Sequence, residues 1–170
     1  NLWISDNAFA VSTYGQINTW NVSAITNMSL IFNGKTDFND DISNWDVSNV
    51  TNMDSMFRFA TSFNQNIGNW NVSNVIFMNT MFDNASSFSQ DIGTWNVSSL
   101  LQTTNIFRNA TSFSIGNYDA LLNGWATITT LESNITFSTP TLQYSSAGQT
   151  ARGVLTSAPN NWIIIDGGIN

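Results

Sequence analysis

Residues 45–67 read WDVSNVTNMDSMFRFATSFNQNI, and the same pattern recurs every 25 residues along the chain. Large apolar residues hold equivalent positions in four successive copies of this repeat. They are Trp20, Trp45, Trp70 and Trp95, then Phe32, Phe57, Phe82 and Phe107, and then Phe38, Phe63, Phe88 and Phe113. A period of about 20 to 29 residues is typical of solenoids, in which each copy buries its apolar face against its neighbours. We therefore predict a solenoid of four copies over residues 17–116, with these aromatic residues stacked as a structural ladder.

The spacing within one copy predicts a strand followed by a turn and a short helix. Trp45 and Val47 are separated by the polar residue Asp46, as expected of a strand that points its apolar side chains inward. The apolar residues from Met53 to Ala60 fall at helical spacing and predict a short helix or 3₁₀ turn. The predicted fold class is thus an α/β solenoid, a leucine-rich-repeat-like stack of strand–turn–helix coils.

The two ends of the chain depart from the repeat and are predicted to cap it, because an uncapped solenoid exposes core and unpaired strand groups. Residues 1–16 are predicted to form a helical N-terminal cap, with a helix over 2–14 that ends at Gly15. Residues 117–170 are predicted to form a mixed α+β C-terminal cap of two helices and two neighbouring strands. These elements are expected over 117–126, 135–137, 145–157 and 162–165.

The composition excludes several classes of function. The 170 residues include 11 acidic and 4 basic side chains, for a net charge of −7, and neither His nor Cys. Without His and Cys there is no Ser-His or Cys-His nucleophile and no zinc site of the usual ligands. So few basic residues cannot neutralise a nucleic-acid backbone, and no apolar run is long enough to span a bilayer. We therefore expect no nucleic-acid partner, and no membrane span in this segment.

Carboxylates are the acid–base groups that remain, and they form no convincing catalytic pair. A glycosidase needs two carboxyl groups about 5 to 10 Å apart across a cleft. Asp40 and Asp41 are adjacent, but adjacent residues of an extended chain point in opposite directions. We predict that the protein is not an enzyme and has no cofactor.

A column of oxygen-bearing residues recurs before each predicted strand. It consists of Asp41, Asn66 and Asp91, preceded two residues earlier by Asn39, Asn64 and Ser89. Such residues can bind Ca²⁺, but Asn and Asp are also expected at turns, where they bond their own backbone. No acidic calcium loop accompanies the column, so we predict no structural metal.

The repeat resembles that of a known family. Residues 45–57 (WDVSNVTNMDSMF) and 60–67 (ATSFNQNI) resemble the BspA-like leucine-rich-repeat surface proteins, and the similarity covers residues 17–113. LLNGW at 121–125 and DGG at 166–168 also resemble the flanks of such arrays. The resemblance implies a non-catalytic protein, extracellular or on a cell or virion surface, that serves in adhesion or protein interaction. The alternative is a structural subunit of a larger extracellular or viral surface assembly, such as a fibre, coat or appendage, whose partners are copies of itself.

Three polar columns are predicted on the outward side of the strands and form a candidate binding face. They are Thr19, Asn44, Asn69 and Thr94, then Asn21, Asp46, Asn71 and Asn96, and then Ser23, Ser48, Ser73 and Ser98. We expect the central column to carry any protein or cell-surface contact. The other interpretation is that these residues only solubilise the face and bond along the stack. Flat Thr and Ser rows would suit ice binding, but here Asn is mixed with Ser. Three of these Asn residues also lie in glycosylation sequons, and glycans there would block the face.

A charged column alternates in sign through successive copies, as Arg58, Asp83 and Arg108. Stacked copies would bring these side chains together as an ion-paired ladder that fixes the register. A patch that recognises an acidic partner is the functional alternative. An exposed pair contributes only about 0.2 to 1 kcal/mol, so we interpret the ladder as mainly structural.

Overall fold

A computed structural model describes residues 6–170 of the chain. Its regular elements are α1 (Asn7–Tyr14), a 3₁₀ turn (Ile17–Thr19), α2 (Ile115–Trp125), β1 (Thr136–Thr139), α3 (Ser146–Thr156) and β2 (Ile163–Asp166). These helices and strands fall close to the positions expected from the sequence, although residues 2–5 of the predicted N-terminal helix lie outside the described residues. None of the described helices is long and apolar enough to cross a membrane.

The structure assigns no strand and no helix within residues 20–113, where each copy is a series of tight turns. The alternative of a 3₁₀ turn describes the segment after Met53 better than a helix does, because Met56 and Ala60 each donate a backbone N–H to the residue three positions earlier (3.2 and 3.0 Å). Trp45 donates its backbone N–H to the Ile42 carbonyl (3.1 Å) and Val50 donates to Val47 (2.9 Å), so the Trp-x-Val segment lies between two turns. The segment from Met53 to Ala60 is also a run of turns.

Left-handed residues explain why that segment is not helical. Two positions in each copy have positive φ, which no right-handed helix accommodates. They are Leu30, Ser55, Thr80 and Asn105, with φ of 53° to 64°, and Gly34, Phe59, Asn84 and Asn109, with φ of 58° to 70°. The backbone groups therefore bond to the neighbouring copy: Phe57 donates its N–H to Met81 (2.9 Å) and Phe59 donates to Asp83 (2.9 Å).

Successive copies thus stack in parallel, one repeat period apart. Isolated parallel bridges join Asn27 to Asn52, Asn52 to Phe77, and Phe77 to Gln102. The bridge between Thr103 and Phe137 then continues this ladder into β1, and β1 pairs in parallel with β2. The C-terminal elements therefore extend the hydrogen-bonded ladder of the repeats.

Aromatic side chains fill the interior of the stack. Two columns of nearly parallel phenyl rings run through the four copies, with centroids 5.5–5.6 Å apart in one column and 5.8–6.1 Å apart in the other. They are the Phe32, Phe57, Phe82 and Phe107 column and the Phe38, Phe63, Phe88 and Phe113 column, and all eight residues are buried. Because each ring packs on the next copy, the apolar residues of one copy are buried only when its neighbours are in place.

The tryptophans also link neighbouring copies, but not by stacking on each other. The indole N–H groups of Trp45, Trp70 and Trp95 donate to backbone carbonyls of the preceding copy at 2.8, 3.3 and 3.1 Å. Each indole packs near a phenyl ring of that copy, with centroids 5.9 to 6.5 Å apart. These three residues are buried, whereas Trp20 at the N-terminal end is only half-buried.

The C-terminal cap packs directly on the fourth copy. Helix α2 approaches so closely that a Cβ on Gly124 would overlap the Gly93 carbonyl, so this contact requires glycine. Asn117 in the same helix donates its side-chain N–H to the Ser89 carbonyl (2.7 Å). Equivalent amide contacts join the earlier copies, where Gln90 donates to Asn64 (2.9 Å). The helix therefore takes the place that a fifth copy would have.

Candidate binding surfaces

The predicted binding face is built from turns rather than from a strand. The central column, which consists of Asn21, Asp46, Asn71 and Asn96, is exposed as expected. Its side-chain oxygens, however, accept the backbone N–H groups of the serines two residues later, at 3.0 to 3.2 Å. Such contacts close Asx turns, and they also hold the pKa of the Asp46 carboxyl below its usual value through its hydrogen bonds with Ser48. These residues shape the backbone as well as facing solvent.

The flanking columns bond partly along the stack. Ser48, Ser73 and Ser98 are half-buried, and the Ser48 carbonyl accepts an N–H from Asn74 of the next copy (2.7 Å). Thr94 likewise donates its hydroxyl to the Gly68 carbonyl (2.9 Å). Asn44 and Asn69 are exposed. The face therefore combines exposed amides with polar groups that fasten one copy to the next.

The column of oxygen-bearing residues considered for calcium also closes Asx turns, as the central column does. The side chains of Asp41, Asn66 and Asp91 accept backbone N–H groups two residues later, at 2.9, 3.0 and 2.8 Å. Asn64 donates its backbone N–H to the Asn39 side chain of the preceding copy (2.9 Å). Within residues 6–170, no group of three His, Cys, Asp or Glu side chains is placed to hold a metal ion.

Arg58, Asp83 and Arg108 form the ion-paired ladder that the sequence suggests. Arg58 Nε lies 3.1 Å from Asp83 Oδ2, and Arg108 holds both carboxylate oxygens through Nε (2.9 Å) and Nη2 (2.6 Å). The Asp83 side chain is fully buried, whereas the two arginine side chains are 36% and 41% exposed. Burial would raise the pKa of Asp83, but the hydrogen bonds from Arg108 and Arg58 outweigh it and lower that pKa. The sequence suggested an exposed pair, whereas the structure buries the shared carboxylate between two partly exposed guanidinium groups.

Phe59, which the sequence analysis did not single out, lies beside this ladder. Its equivalents in the other copies are Gly34, Asn84 and Asn109, the residue types that best tolerate positive φ. Phe59 has a φ of 58° and is 40% exposed, and the Arg58 guanidinium carbon lies 4.7 Å from its ring centroid. Alignment of the copies could have revealed it as the one bulky residue in a Gly and Asn column.

Amide groups extend this surface across the later copies. Asn84 donates its side-chain N–H to Asp83 (2.7 Å), and Asn109 donates to Asn84 (3.2 Å). We call the surface formed by Arg58, Phe59, Asp83, Asn84, Arg108 and Asn109 the arginine band.

The arginine band is positive in a protein that is otherwise acidic. It contains two of the four basic residues, against a single buried carboxylate. Lys35, a third basic residue, follows Gly34, whose N–H donates to the Arg58 carbonyl (2.8 Å). The fourth, Arg152, pairs with Asp166 in the C-terminal cap (2.8 Å).

The N-terminal end of the stack presents hydrogen-bond acceptors. In the later copies, carbonyls at equivalent positions accept N–H groups from the preceding copy. The first copy's carbonyls at Asn27, Ser29, Ile31 and Asn33 accept none from the described residues. An apolar cavity of about 450 Å³, lined by α1, the first copy and Trp45 of the second copy, lies at the same end.

A comparison with known families agrees with the extent of the repeat region. The family model described as "Mycoplasma protein of unknown function, DUF285" matches residues 5–120, which include all four copies and most of α2. No curated protein and no solved structure matches the chain. The chain therefore belongs to the DUF285 family.

Proposed function

We propose that the chain is a non-catalytic extracellular surface module of the BspA-like type, with a leucine-rich-repeat-like solenoid that serves in adhesion or protein interaction. Two observations support the proposal. The DUF285 family is associated with BspA-like surface repeat proteins, and the repeat itself resembles theirs.

The way the copies are fastened together carries the proposal. Backbone bonds, phenyl columns and side-chain amides each connect one copy to the next. These contacts fix each copy relative to its neighbours. Side chains at equivalent positions are therefore presented in regular rows along the stack. Repeat proteins of this kind present extended surfaces to large partners, and groups on rigid elements are positioned for binding.

Attachment of protein-coated beads to cultured cell surfaces tests this function. Beads coated with the folded protein should attach saturably, and the soluble protein should compete. Attachment no greater than that of beads coated with heat-unfolded protein would refute the proposal.

The central column can be tested without breaking its turns. Asn71→Asp with Asn96→Asp keeps the oxygens that accept the serine N–H groups but adds two negative charges to the face. If the column makes the contact, this double change should weaken attachment at least tenfold. Asn66→Asp is the matched control, because Asp41 and Asp91 already occupy that neighbouring column.

The N-terminal end of the stack favours the second candidate, a structural subunit of a larger surface assembly. Its carbonyls that accept no N–H group from residues 6–170, and the apolar cavity beside them, are groups that another chain could cover. Size-exclusion chromatography with light scattering separates the two functions. Assembly that grows with protein concentration supports the subunit, and a monomer at all concentrations supports the binding module.

A further inference from the structure

We propose that the arginine band binds an acidic polysaccharide, with Arg58 and Phe59 holding one uronic acid unit. The inference rests on the proposed function as a surface binding module and names a ligand class for it.

The backbone at Phe59 is the first argument. The left-handed position is held by Gly34, Asn84 and Asn109 in the other copies, and a phenylalanine there is strained. Burial does not explain the residue, because the ring is 40% exposed. The stack imposes the left-handed backbone at this position, but it does not require a bulky side chain there, and residues held in strained conformations cluster at functional sites. The exposed ring itself is therefore the property that this position supplies.

The guanidinium groups are the second argument, because they are fixed in place yet have donors to spare. Arg58 bonds to Asp83 through Nε, and its two terminal nitrogens donate to no group in the described part of the chain. Arg108 uses Nε and Nη2, and its Nη1 has no acceptor within residues 6–170. Asp83 thus holds two planar cations whose remaining donors suit a carboxylate.

The combination of groups distinguishes a sugar from an acidic peptide. A carboxylate alone would need only the guanidinium groups. A pyranose ring also presents C–H groups that pack on an aromatic face, and hydroxyl groups that bond to amides such as those of Asn84 and Asn109. The arginine band offers all three kinds of contact, so we assign it to a uronic acid polymer.

Titration calorimetry with galacturonic acid oligosaccharides tests the assignment, with neutral dextran, dextran sulfate and poly-L-glutamate for comparison. Wild-type protein should bind the galacturonate oligosaccharide and not neutral dextran. Phe59→Asn should weaken this binding at least tenfold while raising the thermal midpoint, because Asn is the residue of the third and fourth copies. The higher midpoint also shows that the variant is folded.

Three further variants identify the groups involved. Phe59→Tyr keeps an aromatic ring and should retain binding. Arg58→Lys keeps the charge but loses the planar donor pair, so binding should weaken. Leu101→Thr is the matched control: it removes an apolar side chain that is 48% exposed and substitutes the residue of the first two copies, so binding should not change.

Each other outcome has a definite meaning. Equal binding of poly-L-glutamate or dextran sulfate, unaffected by Phe59→Asn, would show simple charge attraction or an acidic protein partner and would overturn the assignment. If the wild-type protein binds no polyanion but beads coated with it still attach to cells, this inference alone is overturned. If the wild-type protein binds no polyanion and the coated beads do not attach to cells either, the proposed function is refuted as well.

Discussion

Replacement of Asp83 by Asn is the most direct test of how the copies are held in register. The buried carboxylate accepts four hydrogen bonds, from Arg58 Nε, from Arg108 Nε and Nη2, and from Asn84 Nδ2. An asparagine fits the same space but has one oxygen and one NH₂ group, so it cannot accept all four. At least one guanidinium would then face another donor.

The expected destabilisation follows from that geometry. Removal of one partner of a buried ion pair typically costs about 3 to 5 kcal/mol. The two arginine side chains are 36% and 41% exposed and can turn towards water, which reduces the loss. We expect the free energy of unfolding to fall by about 2 to 3 kcal/mol, and the thermal midpoint by about 4 to 10 °C.

The pH dependence gives a second, independent measurement. The folded-state pKa of Asp83 lies below its ordinary value of 3.8. The stabilisation that the ionised carboxylate gives to the folded protein is therefore fully present above pH 3.8, and it is lost as the pH falls through the lowered pKa. The difference in free energy of unfolding between wild type and Asp83→Asn should therefore be constant from about pH 7 to pH 5 and should shrink at lower pH, where Asp83 becomes protonated.

Urea denaturation followed by tryptophan fluorescence measures both effects. Asp37→Asn is the control, because it removes the same charge from an exposed side chain and should change stability by less than about 0.5 kcal/mol. If Asp83→Asn is no less stable than this control at pH 7, the ladder contributes nothing and the reasoning is refuted.

Three further predictions concern the core, the turns and the metal. Trp70→Ala should lower the free energy of unfolding by about 3 to 5 kcal/mol in urea denaturation, because a buried indole and its bond to Ile42 are lost; an unchanged midpoint would contradict this. Asn71→Ala should lower the free energy of unfolding by about 1 kcal/mol in the same assay, because Ser73 loses its acceptor, whereas Asn71→Asp should leave it unchanged. If both variants lower it equally, the Asx turn does not contribute. EDTA should leave the melting temperature within about one degree, and a large drop reversed by Ca²⁺ would reveal a site near Asp41.

Substitutions on the polar face should affect the turns as well as binding. If these residues lay on the outward side of a strand, most substitutions would change stability little. Asp46, Asn71 and Asn96 instead each bond a backbone N–H, so their change to Lys would remove three turn contacts together with any docking. Substitutions that keep a side-chain oxygen are therefore the informative ones at this face.

The sequence by itself determined the period, the residues of the core and the position of the caps. Spacing of 25 residues places Phe57 against Phe82 in any parallel stack, because residues one period apart must meet when the copies are in register. The same logic brings Arg58, Asp83 and Arg108 together. Helices α2 and α3 could be predicted because their capping serines and apolar spacing are local signals.

Only the tertiary structure decided the path of the chain within each copy. Met53, Met56, Phe57 and Ala60 have helical spacing, but local spacing does not show where the backbone groups find their partners. Those partners lie in the next copy, about 25 residues away, and two left-handed residues per copy turn the N–H groups towards them. Alignment of the copies marks Phe59 as the one bulky residue in its column. Its positive φ, however, is set by the stack, in which its backbone N–H donates to the Asp83 carbonyl of the next copy (2.9 Å).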